Sequence, residues 1–171
     1  NNILDLTSET RQLKDKLITF DAQKERLQKQ IDYLNTLKSY LINRSTYEDP
    51  PAPSIVGIEE GSIVEGVGQI VELSRQRSKY QYAAKPNLPK FKDIDRQIDA
   101  AKNILLENIK SSKENMYNQI EDIDEDLKAL DRDVAQLPEE QQGLLKIERR
   151  YDLSQETYNL FLSKLNEAKL I

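Results

Sequence analysis

Apolar residues recur at Leu6, Leu13, Leu17, Phe20, Leu27, Ile31, Leu34 and Leu41, in steps of 7, 4, 3, 7, 4, 3 and 7. That seam predicts an amphipathic helix over about 5–43, with Lys14, Lys16, Glu25, Arg26 and Lys29 on its wet faces. At 1.5 Å per residue such a helix is roughly 60 Å long and needs a partner of similar length. Asp49-Pro50-Pro51-Ala52-Pro53 cannot continue it, and Gly57 and Gly61 interrupt the residues beyond, so 44–61 reads as a loop. Within that loop Ile55-Val56-Gly57-Ile58 is too short to tell a strand from a buried turn. Ile63, Val67, Ile70, Val71, Ser74, Arg77 and Tyr80 resume helical spacing over 62–83, weakened early by Gly66 and Gly68.

Pro86 and Pro89, in Ala84-Lys85-Pro86-Asn87-Leu88-Pro89, predict a stiff turn over 84–92. The longest helix comes next, over 93–136, with apolar or small residues at 94, 98, 101, 105, 109, 112, 116, 120, 123, 127, 130 and 134. Their mean spacing lies near 3.6 rather than 3.5, which favours a nearly straight bundle helix over a tight two-stranded supercoil. Leu137-Pro138-Glu139-Glu140 marks a stop and a restart, because proline suits a first helical position and acids suit the positive end of the helix dipole. The last helix, 139–169, carries Leu144, Ile147, Tyr151, Tyr158, Leu162 and Leu165 as its stripe, widened by Leu145, Leu160 and Phe161. It is expected to be the most buried of the four, with Tyr151 and Tyr158 in the core and a kink near Tyr151 where Asp152 and Gln155 could cap a fresh turn. The reading is an all-α chain, a single helical region over 1–171, forming an elongated antiparallel hairpin or bundle of long coiled-coil-like helices with Pro-rich loops.

Composition narrows what such helices can do. Of 171 residues 32% are charged and 37% hydrophobic, and 25 Lys and Arg against 30 Asp and Glu leave a net charge of −5, which argues against nucleic acid as a partner. Cys and His are absent, so thiolate nucleophile, imidazole base, disulfide and ordinary zinc site are all excluded, and no cofactor or metal is expected. No Walker A, G-x-G-x-x-G, G-x-S-x-G or H-E-x-x-H sequence occurs, and no catalytic residue is expected. Glu121, Asp122, Asp124, Glu125, Asp126, Asp131 and Asp133 could form a carboxylate pair or hold Mg²⁺ or Ca²⁺, but their helix has its seam at Ile120, Ile123, Leu127 and Leu130, and such a run is ordinarily its solvated back. No apolar run is long enough for a membrane span. The chain opens at Asn1 without a leader and reads as part of a longer protein.

One stretch invites a functional reading. Arg75, Arg77, Lys79, Lys85, Lys90 and Lys92 surround the proline turn without an intervening acid and are interleaved with Tyr80, Tyr82 and Phe91. A cationic, aromatic-bearing helix tip can meet an acidic polysaccharide, a neighbouring subunit or an acidic partner surface; the bland alternative is a solvated tip. The 45–65 segment holds Glu48, Asp49, Glu59, Glu60 and Glu65, so contact between the basic and acidic loops of adjacent copies is a second expectation. Asn43-Arg44-Ser45 matches a glycosylation sequon, a pattern that also arises by chance.

The stretch Leu137-Pro138-Glu139-Glu140-Gln141-Gln142-Gly143-Leu144-Leu145-Lys146-Ile147-Glu148-Arg149-Arg150-Tyr151, followed by Glu156-Thr157-Tyr158-Asn159-Leu160-Phe161-Leu162 and Glu167-Ala168, resembles the polysaccharide co-polymerase, or chain-length determinant, family. The family pattern is L-P, L-x-x-L-x-R, L-Y-x-x-L-L and E-A; here Ile147 stands where Leu is commoner and Phe161-Leu162 replaces Leu-Leu. Pro86-Asn87-Leu88-Pro89 is similar to the family's G-P-N-H-P turn, departing at Lys85 and Leu88, and Pro53-Ser54-Ile55-Val56-Gly57-Ile58 resembles versions from Bacteroidetes. The resemblance implies a non-catalytic periplasmic region of an inner-membrane protein. The full-length protein would be a homo-oligomeric ring that regulates the length or export of a surface polysaccharide, working with a separate polymerase or an outer-membrane export channel. In the autokinase branch a cytoplasmic tyrosine kinase domain follows a second membrane helix, and neither lies in this chain. The rival from another class is the coiled-coil hairpin of a periplasmic adaptor of an efflux or secretion pump, which would need lipoyl-like strands beside it. A cytosolic coiled-coil scaffold comes third and an enzyme last.

Overall fold

The computed structural model describes residues 6–81 and 88–169, with the side chains at 88, 156, 157, 160, 161 and 163–169 left aside. The chain is all-α. Four helices follow in order, α1 (Ser8–Asn43), α2 (Gly61–Gln81), α3 (Leu88–Val134) and α4 (Glu139–Lys169), and a short 3-10 turn (Pro53–Val56) lies between α1 and α2. No strand occurs among the described residues. The helices sort into two compact units, one of residues 1–27 with 117–171, the other of residues 28–116.

α1 starts where Thr7 supplies a cap: Thr10 N–H donates to Thr7 Oγ1 at 3.2 Å, and the two hydroxyls lie 2.7 Å apart. Its predicted seam is inside, with Leu6, Leu17, Leu27, Ile31, Leu34 and Leu41 buried, joined by Tyr33 and Leu37. Lys14, expected on a wet face, is instead half-buried against α4. α3 buries the stripe its spacing predicts, from Ile94, Ile98 and Ala101 through Leu105, Ile109 and Met116 to Ile123 and Leu130.

In the 28–116 unit the first part of α3 runs antiparallel to both α1 and α2, with Lys113 bonded to Asn35 and Asn108 to the Ser62 carbonyl. Gly66 explains a position that propensity alone marks as weak. A Cβ there would lie 2.9 Å from Leu105 Cδ1, and Leu105 is wholly buried, so the glycine lets α2 sit close to α3. The Pro-rich segment is tied down through polar contacts. Gln30 donates to the carbonyls of Val56 and Gly57 at 3.3 and 3.0 Å, Tyr33 to Pro51 O at 2.7 Å, and Tyr47 to Leu41 O at 3.1 Å. The undecided segment Ile55–Ile58 is the end of the 3-10 turn. Gly57 closes it at φ +70, a left-handed conformation that costs glycine little, and turns Ile58 into the core while Ile55 stays in solvent.

The other unit is a three-helix packing of the start of α1, the end of α3, and α4. Leu6, Leu17, Leu130 and Leu145 form its centre, with Leu13, Phe20, Leu127, Val134, Leu137 and Leu144 partly buried around them. The α3–α4 turn spans four residues. Gln142 Nε2 donates to Leu137 O at 2.8 Å, and Gln142 N–H to Pro138 O at 3.0 Å, so Pro138 takes the place just before the first helical residue.

Three expectations need correcting. The stop over 84–92 is shorter, because α3 begins at Leu88; Pro89 falls in its first turn, where a missing N–H removes no helical bond. α4 is continuous through Tyr151, since Asp152 is engaged by Lys14 at 3.1 Å rather than capping a new turn. And α4 is not the most buried helix: Ile147, Tyr151, Tyr158 and Leu162 are 68%, 64%, 60% and 39% exposed.

Candidate functional site

The basic residues gather where α2 ends and α3 begins. Arg77 is half-buried, its Nε 2.5 Å from Asp95 Oδ1 and its guanidinium 5.7 Å from the centre of the Phe91 ring. The hydrogen bond to Asp95 raises the Arg77 pKa, with burial opposing, so this cation belongs to the α2–α3 packing. Lys90 lies 5.4 Å above the Tyr80 ring. Arg75, Lys79, Lys90 and Lys92 are exposed, while Lys85, Pro86, Asn87 and Tyr82 fall outside the described residues.

The charge placement at this tip is unusual in one respect. Lys79, in the last turn of α2, suits the negative end of that helix dipole. α3 has Lys90 and no acid in its first turn, the reverse of what a helix N-terminus favours, at a cost of roughly 0.3–1 kcal/mol for that charge. Helix formation therefore does not account for Lys90. Arg75, Lys79, Lys90 and Lys92 form a cationic surface flanked by Tyr80 and Phe91, chemistry that favours an anionic ligand.

The acidic loop is partly used within its own unit. Glu48 accepts a hydrogen bond from Ser78 on α2, and Glu60 accepts from Ser62 at 2.8 Å and Ser112 at 2.6 Å. Asp49, Glu59 and Glu65 are exposed. The acids of α3 spread round its outer surface: Asp124 meets Lys24 at 2.5 Å and Asp131 reaches Arg149 at 3.6 Å, while Glu121, Asp122, Glu125, Asp126 and Asp133 are exposed. No group of three acids that could hold a metal ion exists among the described residues.

Comparison with protein-family models, with curated proteins and with solved structures gives no match. The remaining motif positions are thus interpreted from their contacts alone. Arg149 is the most informative. It donates to both carboxylate oxygens of Asp21, at 2.7 and 2.9 Å, and with Asp131 nearby it ties α4 to α1 and α3. The Asp21 bond raises its pKa, again against burial. Lys14 makes a parallel link, to Glu148 at 2.9 Å and Asp152 at 3.1 Å, and the Glu148 bond raises its pKa most. Leu137 and Pro138 shape the α3–α4 turn, Tyr158 is exposed, and the side chains of Glu167 and Ala168 are among those left aside.

Sequence reasoning missed Gln30, Tyr33, Lys14 and Asp21 as working residues. Gln30 and Tyr33 adjoin the apolar seam at Ile31 and Leu34, the one signal that could have marked them as clamps for the Pro-rich segment. Asp21 and Lys14 had no such signal, because their partners lie more than a hundred residues away.

Proposed function

We propose that the chain is the non-catalytic helical region of a periplasmic polysaccharide co-polymerase. Its parent would be anchored in the inner membrane, assemble as several copies, and set the length or export of a surface polysaccharide. The observation that carries the reading is the α2–α3 tip, where Arg75, Lys79, Lys90 and Lys92 are exposed together and Lys90 stands over the Tyr80 ring although it opposes the dipole of its own helix. Charge kept against local preference is expected where a surface has a partner. The resemblance of the Leu137–Tyr151 stretch and of the Pro86–Pro89 junction supports the same reading. Its mechanism is scaffolding: buried stripes hold the helices, and the tip and outer faces make the contacts with polymer, polymerase or channel.

The test is made in the full-length protein. Charge reversal of Arg75, Lys79, Lys90 and Lys92 together should broaden or shorten the polymer length distribution, or lower export, with membrane insertion and protein level unchanged. A length distribution and yield equal to those of the unaltered protein would overturn the assignment of the tip. A parent reading frame without flanking membrane helices would overturn the family reading.

A further inference from the structure

Lys146, Arg150, Ser154 and Tyr158 follow one another at intervals of four along α4 and form one ridge of its surface, roughly 18 Å from end to end. That ridge is a wall of a groove of about 770 Å³, completed by Arg149, Leu153 and, from α1, Asp21. All seven residues belong to the unit of residues 1–27 with 117–171. A groove of this size lies in the range of ligand sites, roughly 300–1,000 Å³.

Its charge is one-sided. Asp21 is the one acid among the lining residues, and both of its carboxylate oxygens already accept from Arg149. Lys146 and Arg150 are exposed, and among the described residues neither makes an ion pair. Their neighbours three and four positions away on α4 are Gln142, Gly143, Arg149, Ile147, Leu153 and Ser154, with no acid, and the two cations repel each other one turn apart. Glu148 and Asp152 are held by Lys14. A second groove of about 520 Å³ shares Lys146 and Arg149 but adds Asp131 and Glu139, so its charges balance. Positive potential is therefore gathered in the first groove, where a concave wall focuses it.

Beyond Arg150 the lining changes character. Leu153 is half-buried, the Tyr158 ring is exposed, and between them the Ser154 hydroxyl donates to the Arg150 carbonyl at 2.9 Å. We propose that this groove binds a stretch of acidic saccharide, with a carboxylate between Lys146 and Arg150 and the C–H face of a sugar ring against Tyr158 and Leu153. A long elongated anion uses both halves of the ridge, whereas a simple inorganic anion uses the cations alone. An acidic peptide brings backbone N–H donors to a groove whose one carboxylate is already engaged. The inference deepens the scaffold reading, on which it rests for the ligand being a polysaccharide, by making that polymer anionic and giving it a contact in the other unit from the tip.

Titration calorimetry on the full chain tests this, in a background of Arg75→Gln, Lys79→Gln, Lys90→Gln and Lys92→Gln that silences the tip. A short oligoglucuronate should bind, and a neutral oligoglucose of the same length should bind at least about tenfold more weakly. Lys146→Gln with Arg150→Gln should weaken the oligoglucuronate about tenfold, as should about 1 M salt, where the Debye length is about 3 Å. Tyr158→Ala should weaken both saccharides, and Lys146→Arg should keep the affinity. Helical circular dichroism of each variant guards against a folding defect. Binding that ignores the Lys146 and Arg150 substitutions, or no binding at all, overturns the site. Equal affinity for the neutral saccharide, for inorganic phosphate or for an oligoglutamate overturns the ligand class. A polymer length distribution altered by the tip variant would leave the scaffold reading standing in each of these cases, and a parent without membrane helices would remove that reading while leaving a measured groove affinity intact.

Discussion

At the scale of single residues, the arginine that links three helices matters more than its exposed neighbours. Side chains of Arg149 and Asp21 are only 27% and 19% exposed, and two parallel hydrogen bonds give the pair a geometry that ordinary surface ion pairs lack. Arg149→Met is expected to lower stability by about 1–2 kcal/mol, since it leaves the Asp21 carboxylate partly buried without its main donor. Arg149→Lys should recover less than half, because an ammonium keeps the charge and loses the fork. Urea unfolding followed by helical circular dichroism decides it, and a loss for Arg149→Met below that of an exposed control such as Arg132→Met would show that the node contributes nothing.

Helices were legible to different degrees, and the reason is the surface each one packs against. Periodicity located α3 because its buried positions are almost all apolar or small, from Ile94 to Leu130, so the pattern and the partner surface coincide. In α4 the inward side is built round Arg149, which any count of apolar residues scores as solvent-facing. Its charge is neutralised by Asp21, a residue far off in the chain, and the stripe that looks like a core is left outside. The basic tip was legible as a charge run, yet the division of labour within it was not. Only the antiparallel pairing of α2 with α3 brings Asp95 to Arg77, and only the early start of α3 brings Lys90 to Tyr80. The glycines of α2 make the same point in testable form. Gly68→Ala has open space and should stabilise by up to about 1 kcal/mol through helix propensity. Gly66→Ala gains the same propensity but presses on the buried Leu105, so its melting temperature should fall below that of Gly68→Ala; equal gains at both would refute the close approach.

For the whole molecule, the absence of histidine and cysteine shapes the response to pH. No side chain with an ordinary pKa between about 5 and 8 is present, so stability should vary little from about pH 6 to 9. Above that range two groups act in the same direction. Burial pushes the Tyr33 phenol up to about 12, so the fold favours its neutral form, and that contribution is complete below the ordinary value of 10.0 and lost as pH rises to about 12. The Lys14 ammonium, raised by its bond to Glu148, contributes in full below 10.5 and loses that contribution as pH climbs past its folded value. The urea midpoint should therefore hold steady to about pH 9 and then fall, and Tyr33→Phe should flatten part of that fall while costing about 1 kcal/mol at neutral pH for the lost bond to Pro51. A midpoint that stays level to pH 12 would contradict both assignments.

The two sides of α4 meet different physical demands. Replacing Leu145 opens a hole in a packed core, and the chain itself registers the loss. Folding makes no such demand at Ile147, Tyr151, Tyr158 and Leu162, where a glutamine or lysine would meet only water. The fold thus leaves those four positions open to polar residues, and a library of variants scored once for folding and once for function would separate the two demands residue by residue.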